Sequence, residues 1–258
     1  MSAREQVAFL VGSEHRLAVM EALREGSARP CGLERSLTAS RATVQRALSG
    51  LEERGWVEKR DGEYHLTAAG LFVLRAFDDL TEVVETVADV GDPLALFDGL
   101  TTDLPVEALR SARMTAADAT TPHAPIERYA ALLDGADVDR LRAVCPVSSP
   151  VFNEVHRPLV EDRVSIDLVI DEETLAAARQ VAPETHAAAL DDDLFSLYVV
   201  DADLSFGVSL FDGVAVVGAY DDQGRFRACL DGRDDALVEW ATSLFEEHRG
   251  RARTLETA

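Results

Sequence analysis

The chain has 258 residues, a formal net charge of −22 and 47% hydrophobic residues. This length suffices for two modest domains that each bury a core, and the strong negative charge argues against binding of nucleic acid or anionic membranes over the whole surface. Residues 1–75 have a net charge close to zero, so the excess of acidic residues lies in the rest of the chain. The first part can therefore still approach DNA.

The chain contains a single lysine, Lys59, while arginine, aspartate and glutamate are plentiful. This composition resembles that of proteins from salt-loving archaea, in which a Debye length of about 3 Å at molar salt mutes repulsion among acids. The cysteines, Cys31, Cys145 and Cys229, are far apart and predict reduced thiols, not a disulfide framework or a zinc site. We find no apolar leader segment and no run long enough to span a membrane, and therefore expect a cytoplasmic protein.

In chain order, the apolar spacing predicts a helix over 14–25 and a short one over 33–37, followed by a longer helix over 41–54. Ser40 suits the N-cap of this third helix, and Gly55 suits a left-handed residue just past its end. Its inward stripe is Val44, Leu48 and Leu51. Its outer face carries donors suited to bases and phosphates, namely Arg41, Gln45, Arg46 and Ser49.

Two short β-prone runs, 56–60 and 63–67, follow this helix and are joined by Asp61 and Gly62, the two-residue turn that favours a tight hairpin. Helix, turn, recognition helix and hairpin in this order predict a winged helix-turn-helix. We expect Lys59 and Arg60 on the wing to add DNA contacts. His65 is a less favoured candidate for the same role.

The segments SEHRLAVMEALREG and SRATVQRALSGLEERGWVEKRDGEYHLTAAG resemble the winged-helix domain of the archaeal methanogenesis-regulatory protein family. The resemblance continues through IERYAALLDG, LRAVCPVSSPVFNEVHRPLV, VSIDLVID and the stretch from FGVSLFDG to FEEHR. It implies a transcription factor with a C-terminal effector-type domain, but it implies no ligand, and the methanogenesis label is not carried over as a function.

After the wing, Thr67 can cap a helix that the pattern carries to about Val90. Its apolar residues step by four, three, four and three, as in a coiled-coil seam; they are Val73, Phe77, Leu80, Val84 and Val87. We predict that this helix pairs two subunits, so that two recognition helices meet half-sites about one DNA turn apart. Packing of the seam against the chain's own domains is the alternative.

Helical and β-prone segments then alternate and end in a β-rich meander and a last helix over 234–248. This order predicts an α/β domain with a mixed sheet. The overall fold class is therefore α+β and α/β. The predicted organisation is a winged helix-turn-helix over 1–70, a connecting helix over 71–92, an effector-sensing domain over 93–249 and a flexible tail over 250–258.

In the second domain, Ser148 and Ser149 follow a strand and open a helix at Pro150, where amides and hydroxyls can converge on an anionic ligand. Arg142, His156 and Arg157 are candidate partners for such an effector. Ordinary helix capping by serine and proline is the alternative.

Enzyme motifs are missing from the sequence. It has no Gly-rich phosphate loop, HExxH, GxSxG or paired CxxC, and the His and Lys two apart that phospholipase D chemistry needs are excluded because Lys59 is the only lysine. The acids at 191–193, 201, 203 and 221–222 are more simply explained by composition than by calcium binding. We expect no catalysis, cofactor or metal.

The sequence therefore predicts a transcriptional regulator that binds double-stranded DNA as a homodimer and senses a small-molecule effector. A non-enzymatic protein-interaction module, using a winged helix and an acidic second domain, is the alternative.

Overall fold

The computed structural model describes residues 2–97, 100, 104–181 and 183–255. The chain divides into two compact units, Met1–Glu85 and Thr86–Ala258. In chain order, the first part contains α1 (Ala3–Val11), α2 (Glu14–Arg24), α3 (Pro30–Ser36), α4 (Arg41–Glu52), β1 (Val57–Arg60), β2 (Glu63–Leu66) and α5 (Ala68–Val90).

A winged helix-turn-helix is present, as predicted. The core of this unit forms where α2, α3 and α4 turn their apolar stripes toward one another, and Met20, Leu33 and Leu48 are almost fully buried in it. Trp56 and Tyr64 close this core from the side of the hairpin. Helix α1 was not predicted. A capping box starts it, because Ser2 Oγ accepts from the Glu5 amide while the Glu5 carboxylate accepts from the Ser2 amide.

The hairpin turn follows from two residues. Strands β1 and β2 pair antiparallel with Arg60 opposite Glu63, and both Asp61 (φ 49°) and Gly62 (φ 82°) have positive φ. Positive φ at both central positions is the geometry of a type I′ turn, whose twist matches that of paired strands. The Asp61–Gly62 sequence therefore sets the register of the wing.

The start of α5 is joined to the wing by a cap and a close approach. The Gly70 amide donates to Thr67 Oγ1 at 3.0 Å, and Thr67 Oγ1 itself donates to the Gly55 carbonyl at 2.6 Å. A Cβ at Gly70 would collide with the Trp56 carbonyl. Only glycine allows the helix to pass so near the hairpin.

In the second part, a 3-10 helix (Asp92–Phe97) precedes the following elements: α6 (Val106–Ser111), β3 (Arg113–Ala116), α7 (Ala124–Asp134), β4 (Arg140–Val144), α8 (Pro150–Glu161), β5 (Ser165–Asp171), α9 (Glu172–Val181), α10 (Pro183–Leu190), β6 (Phe195–Val200), β7 (Phe206–Phe211), β8 (Val214–Tyr220), β9 (Phe226–Gly232), α11 (Asp235–Arg251) and β10 (Arg253–Thr254).

The strands form one mixed sheet in the order β10-β6-β5-β4-β7-β8-β9-β3. Strands β4, β5 and β6 are parallel neighbours, and the remaining pairs are antiparallel. One side of the sheet packs on α11 through Leu237, Ala241 and Phe245, and the other packs on α7 and α8 through Tyr129 and Leu159. The predicted mixed sheet with helices is confirmed.

The C-terminal end differs from the predicted flexible tail over 250–258. Residues 250 and 251 complete α11, and β10 pairs with the edge strand β6. The Leu255 amide donates to the Leu197 carbonyl at 2.8 Å, and Arg253 pairs with Glu172 at 2.7 Å. These contacts hold the segment as far as residue 255. Residues 256–258 of the predicted tail lie outside the described residues, as do 98, 99, 101–103 and 182 of the predicted effector domain.

Candidate nucleic-acid interface and cavity

The outward face of α4 is formed as the sequence predicts. Ser40 caps the helix by accepting from the Thr43 amide at 3.2 Å, and the inward stripe, Val44, Leu48 and Leu51, is buried. The four predicted contact residues are all exposed; they are Arg41, Gln45, Arg46 and Ser49. The structure thus brings them together on the solvent face of one helix.

Both arginines of this face are available to an incoming anion. Arg46 Nε donates to the Ala42 carbonyl of its own helix at 3.3 Å, which holds the side chain along the helix. Among the described residues, no carboxylate forms an ion pair with Arg41 or Arg46. A phosphate or a base edge therefore has no carboxylate to displace from either arginine.

The wing presents weaker candidates. Lys59 is exposed, and its Nζ lies 5.6 Å from the centroid of the Tyr64 ring. Arg60 is exposed but already forms an ion pair with Glu58. Such surface pairs contribute about 0–1 kcal/mol, so a phosphate can replace Glu58 at small cost. His65 is half-buried.

The predicted effector residues do not all meet. Ser148 and His156 line one cavity, which Ser149 and Arg157 also border. Ser149 caps α8, since its Oγ accepts from the Phe152 amide at 3.4 Å, and the exposed Arg157 pairs with Glu154 at 2.5 Å.

Arg142 is not among the residues that line this cavity. Its Nη1 lies 3.7 Å from Glu246 Oε1, and its guanidinium lies 5.7 Å from the Phe245 ring, both on α11. Its strand neighbours, Leu141 and Ala143, face the cavity instead. The side chains of a strand alternate between the two faces of a sheet, so Arg142 lies on the face opposite to the serines.

The cavity itself was not foreseen from the sequence. It has a volume of about 290 Å³ and lies in the second unit, bordered by strands of the central sheet and by α8, α9 and α10. Small residues on adjacent strands leave room for it, namely Gly207, Ser209 and Gly218. Small residues within otherwise bulky buried strands are the signal that could have indicated it.

A chain of hydrogen bonds joins three side chains that line the cavity. Tyr129 Oη donates to Ser209 Oγ at 3.1 Å and lies 2.8 Å from His156 Nε2. Because a phenol has one proton, His156 Nε2 must then be the donor to Tyr129. This order places a proton on His156 Nε2 and leaves the Ser209 hydroxyl proton for a further acceptor.

Four titratable groups buried in the inner wall of the cavity are neutral near pH 7. Burial lowers the pKa of His156 to about 4 and raises the pKa of the Cys145 thiol to about 11. Burial also raises the pKa of Tyr129 and of Tyr220 above the usual value for a phenol. Burial disfavours the charged form of each group, so these four side chains add no charge to the inner wall.

We expect acid to destabilise the wild type more than the His156→Gln variant. The pKa of His156 is about 4 in the folded chain and near 6.5 when exposed, so the unfolded state binds more protons between these values. The contribution to stability is complete above pH 6.5 and is lost as the pH falls toward 4. This loss amounts to about 3 kcal/mol.

Chemical denaturation of both proteins at pH 7 and pH 4 in constant salt measures this difference. Titration of the many carboxylates changes the unfolding free energy equally in both proteins, so it cancels in the comparison. Glutamine retains a donor for Tyr129 but does not titrate. An equal loss of unfolding free energy in the two proteins would contradict the neutral, buried state of His156.

Two of the acids considered for calcium serve structural roles. Asp192 pairs with Arg163 at 3.1 Å, and Asp221 accepts from the amides of Gln223 and Arg225 within its own turn. Within the described ranges, no cluster of three or more His, Cys, Asp or Glu side chains is arranged to hold a metal ion. No helix of the described chain has the length and apolar character needed to cross a membrane.

Comparison with solved structures gives distant likenesses. TrmBL2, described as an archaeal chromatin protein with a novel mode of DNA binding, is 13% identical, with 98% of this chain and 100% of that chain covered and a TM-score of 0.41. The phospholipase D family member Nuc from Salmonella typhimurium is 13% identical, with 57% of this chain and 99% of that chain covered and a TM-score of 0.41. None of the curated proteins compared with the chain matches it in sequence.

Two family profiles match the sequence itself. Residues 4–89 match the HVO_A0261 N-terminal domain. Residues 122–251 match the middle domain of the methanogenesis regulatory protein FilR1. The second match covers just over half of the 258 residues, which confirms the resemblance described above. The chain therefore belongs to the family of regulators defined by the FilR1 middle domain.

Proposed function

We propose that the protein is a sequence-specific, DNA-binding transcriptional regulator. The observation that carries this proposal is the face of α4, where Arg41, Gln45, Arg46 and Ser49 are exposed together opposite the buried stripe. Arginine can pair bidentately with guanine and glutamine with adenine. The wing adds Lys59 and Arg60, which suit phosphate contacts beside the groove.

The composition sets the conditions under which this face must act. Apart from the near-neutral start, the chain is strongly acidic, and the excess of arginine over lysine supports a protein that works in concentrated salt. High salt removes most of the counterion-release contribution to phosphate contacts. Contacts with base edges should then supply a larger share of the affinity than they do at low salt.

The test is binding of the full-length protein to DNA from upstream of its own gene in concentrated potassium chloride. We expect retention on that fragment in the presence of excess random DNA. Equal binding to all fragments would contradict sequence specificity. Absence of binding would instead favour the alternative in which the winged helix contacts another protein.

We also propose that α5 joins two copies of the chain. Val73 and Phe77 pack partly against the core of the first unit, but further along the predicted seam Leu80, Val84 and Val87 are 52%, 59% and 43% exposed. The alternative of internal packing therefore accounts for only the first part of the seam. The exposed part keeps the spacing with which a second copy can interdigitate.

Leu80→Glu with Val84→Glu is expected to convert a dimer into a monomer, because two charges would have to be buried in the seam. Sedimentation of the full-length protein at micromolar concentration measures the change. Arg75→Glu is the matched control, since it alters the net charge by the same two units on the other side of α5. A wild type that sediments as a monomer, or a double variant that remains a dimer, would contradict this interface.

The remaining part of the proposal is that the second domain senses a small-molecule effector. The cavity between the sheet and α8, α9 and α10 supports it, because a concave, mostly apolar space with a few polar groups is typical of ligand sites. An effector can regulate DNA binding only if it binds the DNA-competent and incompetent states with different affinities. The proposal keeps the domain limits that the sequence predicts: a winged helix-turn-helix over 1–70, a connecting helix over 71–92 and an effector-sensing domain over 93–249.

A further inference from the structure

The cavity wall favours a flat, apolar occupant. The rings of Tyr220 and Phe226 stack with centroids 5.1 Å apart, and Phe152 adds a third ring 5.7 Å from Phe226. They have room to lie against the sheet because Gly207 and Gly218, which are paired across β7 and β8, lack side chains. A Cβ at Gly207 would meet Tyr220, and a Cβ at Gly218 would meet Phe226.

The size and charge of the cavity restrict the occupant further. A volume of about 290 Å³ lies at the lower end of the roughly 300–1,000 Å³ of small-molecule sites. The charged side chains on its border, Arg157 and Asp192, already pair with Glu154 and Arg163. An anion inside would lose its hydration, and Arg157, the cation among the described lining residues, is 61% exposed and pairs with Glu154 outside the apolar interior, so burial of the anion is costly.

Several polar groups line the cavity, and one hydrogen-bonded set of them can orient the occupant. The hydrogen-bond chain from His156 through Tyr129 ends at Ser209, whose hydroxyl proton has no further acceptor among the described residues. If the chain runs in the opposite direction, Ser209 Oγ becomes the acceptor instead. A hydroxyl group on the occupant complements either direction because it both donates and accepts.

We propose that this cavity binds a small, neutral, aromatic molecule bearing a hydroxyl group, with its ring against Phe152, Tyr220 and Phe226 and its hydroxyl on Ser209. The inference rests on the proposed sensing function and names the class of its effector. It replaces the anionic effector that Ser148, Ser149 and the nearby arginines indicated in the sequence, because Ser149 is used as a cap and Arg142 faces α11.

Isothermal titration of the full-length protein in concentrated potassium chloride tests the proposal with three matched probes: 2-naphthol, naphthalene and 2-naphthoate. We expect 2-naphthol to bind once per chain. Naphthalene should bind at least about tenfold more weakly because it lacks the hydrogen bond to Ser209, and 2-naphthoate should bind at least about tenfold more weakly because its charge would be buried. Tighter binding of 2-naphthoate, or binding of none of the three, would overturn the proposal.

Two variants locate the binding. Ala178→Trp, on the partly exposed border of the cavity, should fill it and abolish binding of 2-naphthol, whereas Ala176→Trp, exposed on the same helix and not lining the cavity, should not. Ser209→Ala should weaken 2-naphthol about tenfold and leave naphthalene unchanged. Unchanged 2-naphthol binding in both Ala178→Trp and Ser209→Ala would overturn the site. Because Ser209→Ala removes only a hydroxyl, the test does not depend on whether Ala178→Trp folds.

These titrations contain no DNA, so their outcome is separate from that of the proposed regulator. Binding of 2-naphthol that leaves the affinity for DNA unchanged would retain the site and remove the sensing function. Replacement of Arg41 and Arg46 on α4 by alanine, even if it abolished DNA binding, would leave the titrations unaffected.

Discussion

Replacing Arg41 and Arg46 together with alanine is expected to lower the affinity for specific DNA by roughly a hundredfold, with little change in the stability of the fold. Each bidentate contact with a base is worth about 1–3 kcal/mol, and about 1.4 kcal/mol corresponds to a tenfold change in affinity. Both side chains are exposed and neither forms an ion pair among the described residues. Their removal therefore leaves no buried group without a partner.

Fluorescence anisotropy with the upstream fragment and with random DNA of equal length, in the same concentrated salt, measures this loss. The control is Arg4→Ala with Arg75→Ala, which removes two exposed arginines of α1 and α5 and alters the net charge equally. An equal loss on both DNAs would identify Arg41 and Arg46 as phosphate contacts. A loss of the same size in the control would show that only net charge matters, and no loss in either would remove α4 as the DNA-contacting helix.

The N-terminal unit could be predicted because its signals are local. Ser40 caps α4, Asp61 and Gly62 form the turn, and Thr67 caps α5, and each signal acts within a few residues of its own position. The buried stripe of α4 follows from the 3.6-residue period alone. Helix α1 was not predicted because its apolar periodicity is weak: it buries little more than Leu10 and leaves Val7 and Val11 exposed.

The cavity could not be predicted from local signals because residues distant in the sequence form it. Tyr129, His156 and Ser209 lie on α7, α8 and β7, and only the packing of both helices on one face of the sheet brings their side chains together. The sequence-based hypothesis instead grouped Arg142 with the serines because they are near in the chain. Strand alternation by itself places Arg142 on the face of the sheet opposite to Leu141 and Ala143. The serines at the start of α8 can be assigned to one of these faces only when the face that α8 covers is known.

The short strands β3 and β10 were missed for a related reason. Strand β3 is held by its antiparallel register with β9, in which Arg113 lies opposite Asp231. Its residues alternate polar and apolar, but four residues are the shortest run in which such alternation indicates a strand. Such edge strands are determined by the partner strand that they extend, since residue propensity in a strand depends strongly on context.

A buried ion pair fixes α7 on the sheet. Arg128 Nε and Nη2 donate to the two carboxylate oxygens of Asp231 at 2.9 and 2.6 Å, and the Asp231 side chain is 4% exposed. These hydrogen bonds raise the pKa of Arg128. Bidentate geometry makes this pair stronger than the surface pairs and gives α7 a single register against β9.

Arg128→Leu is expected to lower the free energy of unfolding by about 3–5 kcal/mol, because it leaves the Asp231 carboxylate buried without its partner. Denaturation of the full-length protein in constant salt measures the change. The double variant Arg128→Leu with Asp231→Leu should be more stable than Arg128→Leu alone, since it removes the unpaired charge as well.

The matched control is Arg157→Leu, which breaks the exposed pair with Glu154 and should cost at most about 1 kcal/mol. Burial of the partner carboxylate is the difference between the two arginines, so the comparison isolates the cost of leaving a buried charge unpaired. If Arg128→Leu cost no more than Arg157→Leu, Asp231 would have to be reached by solvent in solution, and α7 would then be held to the sheet by Tyr129 and Leu133 without help from the ion pair.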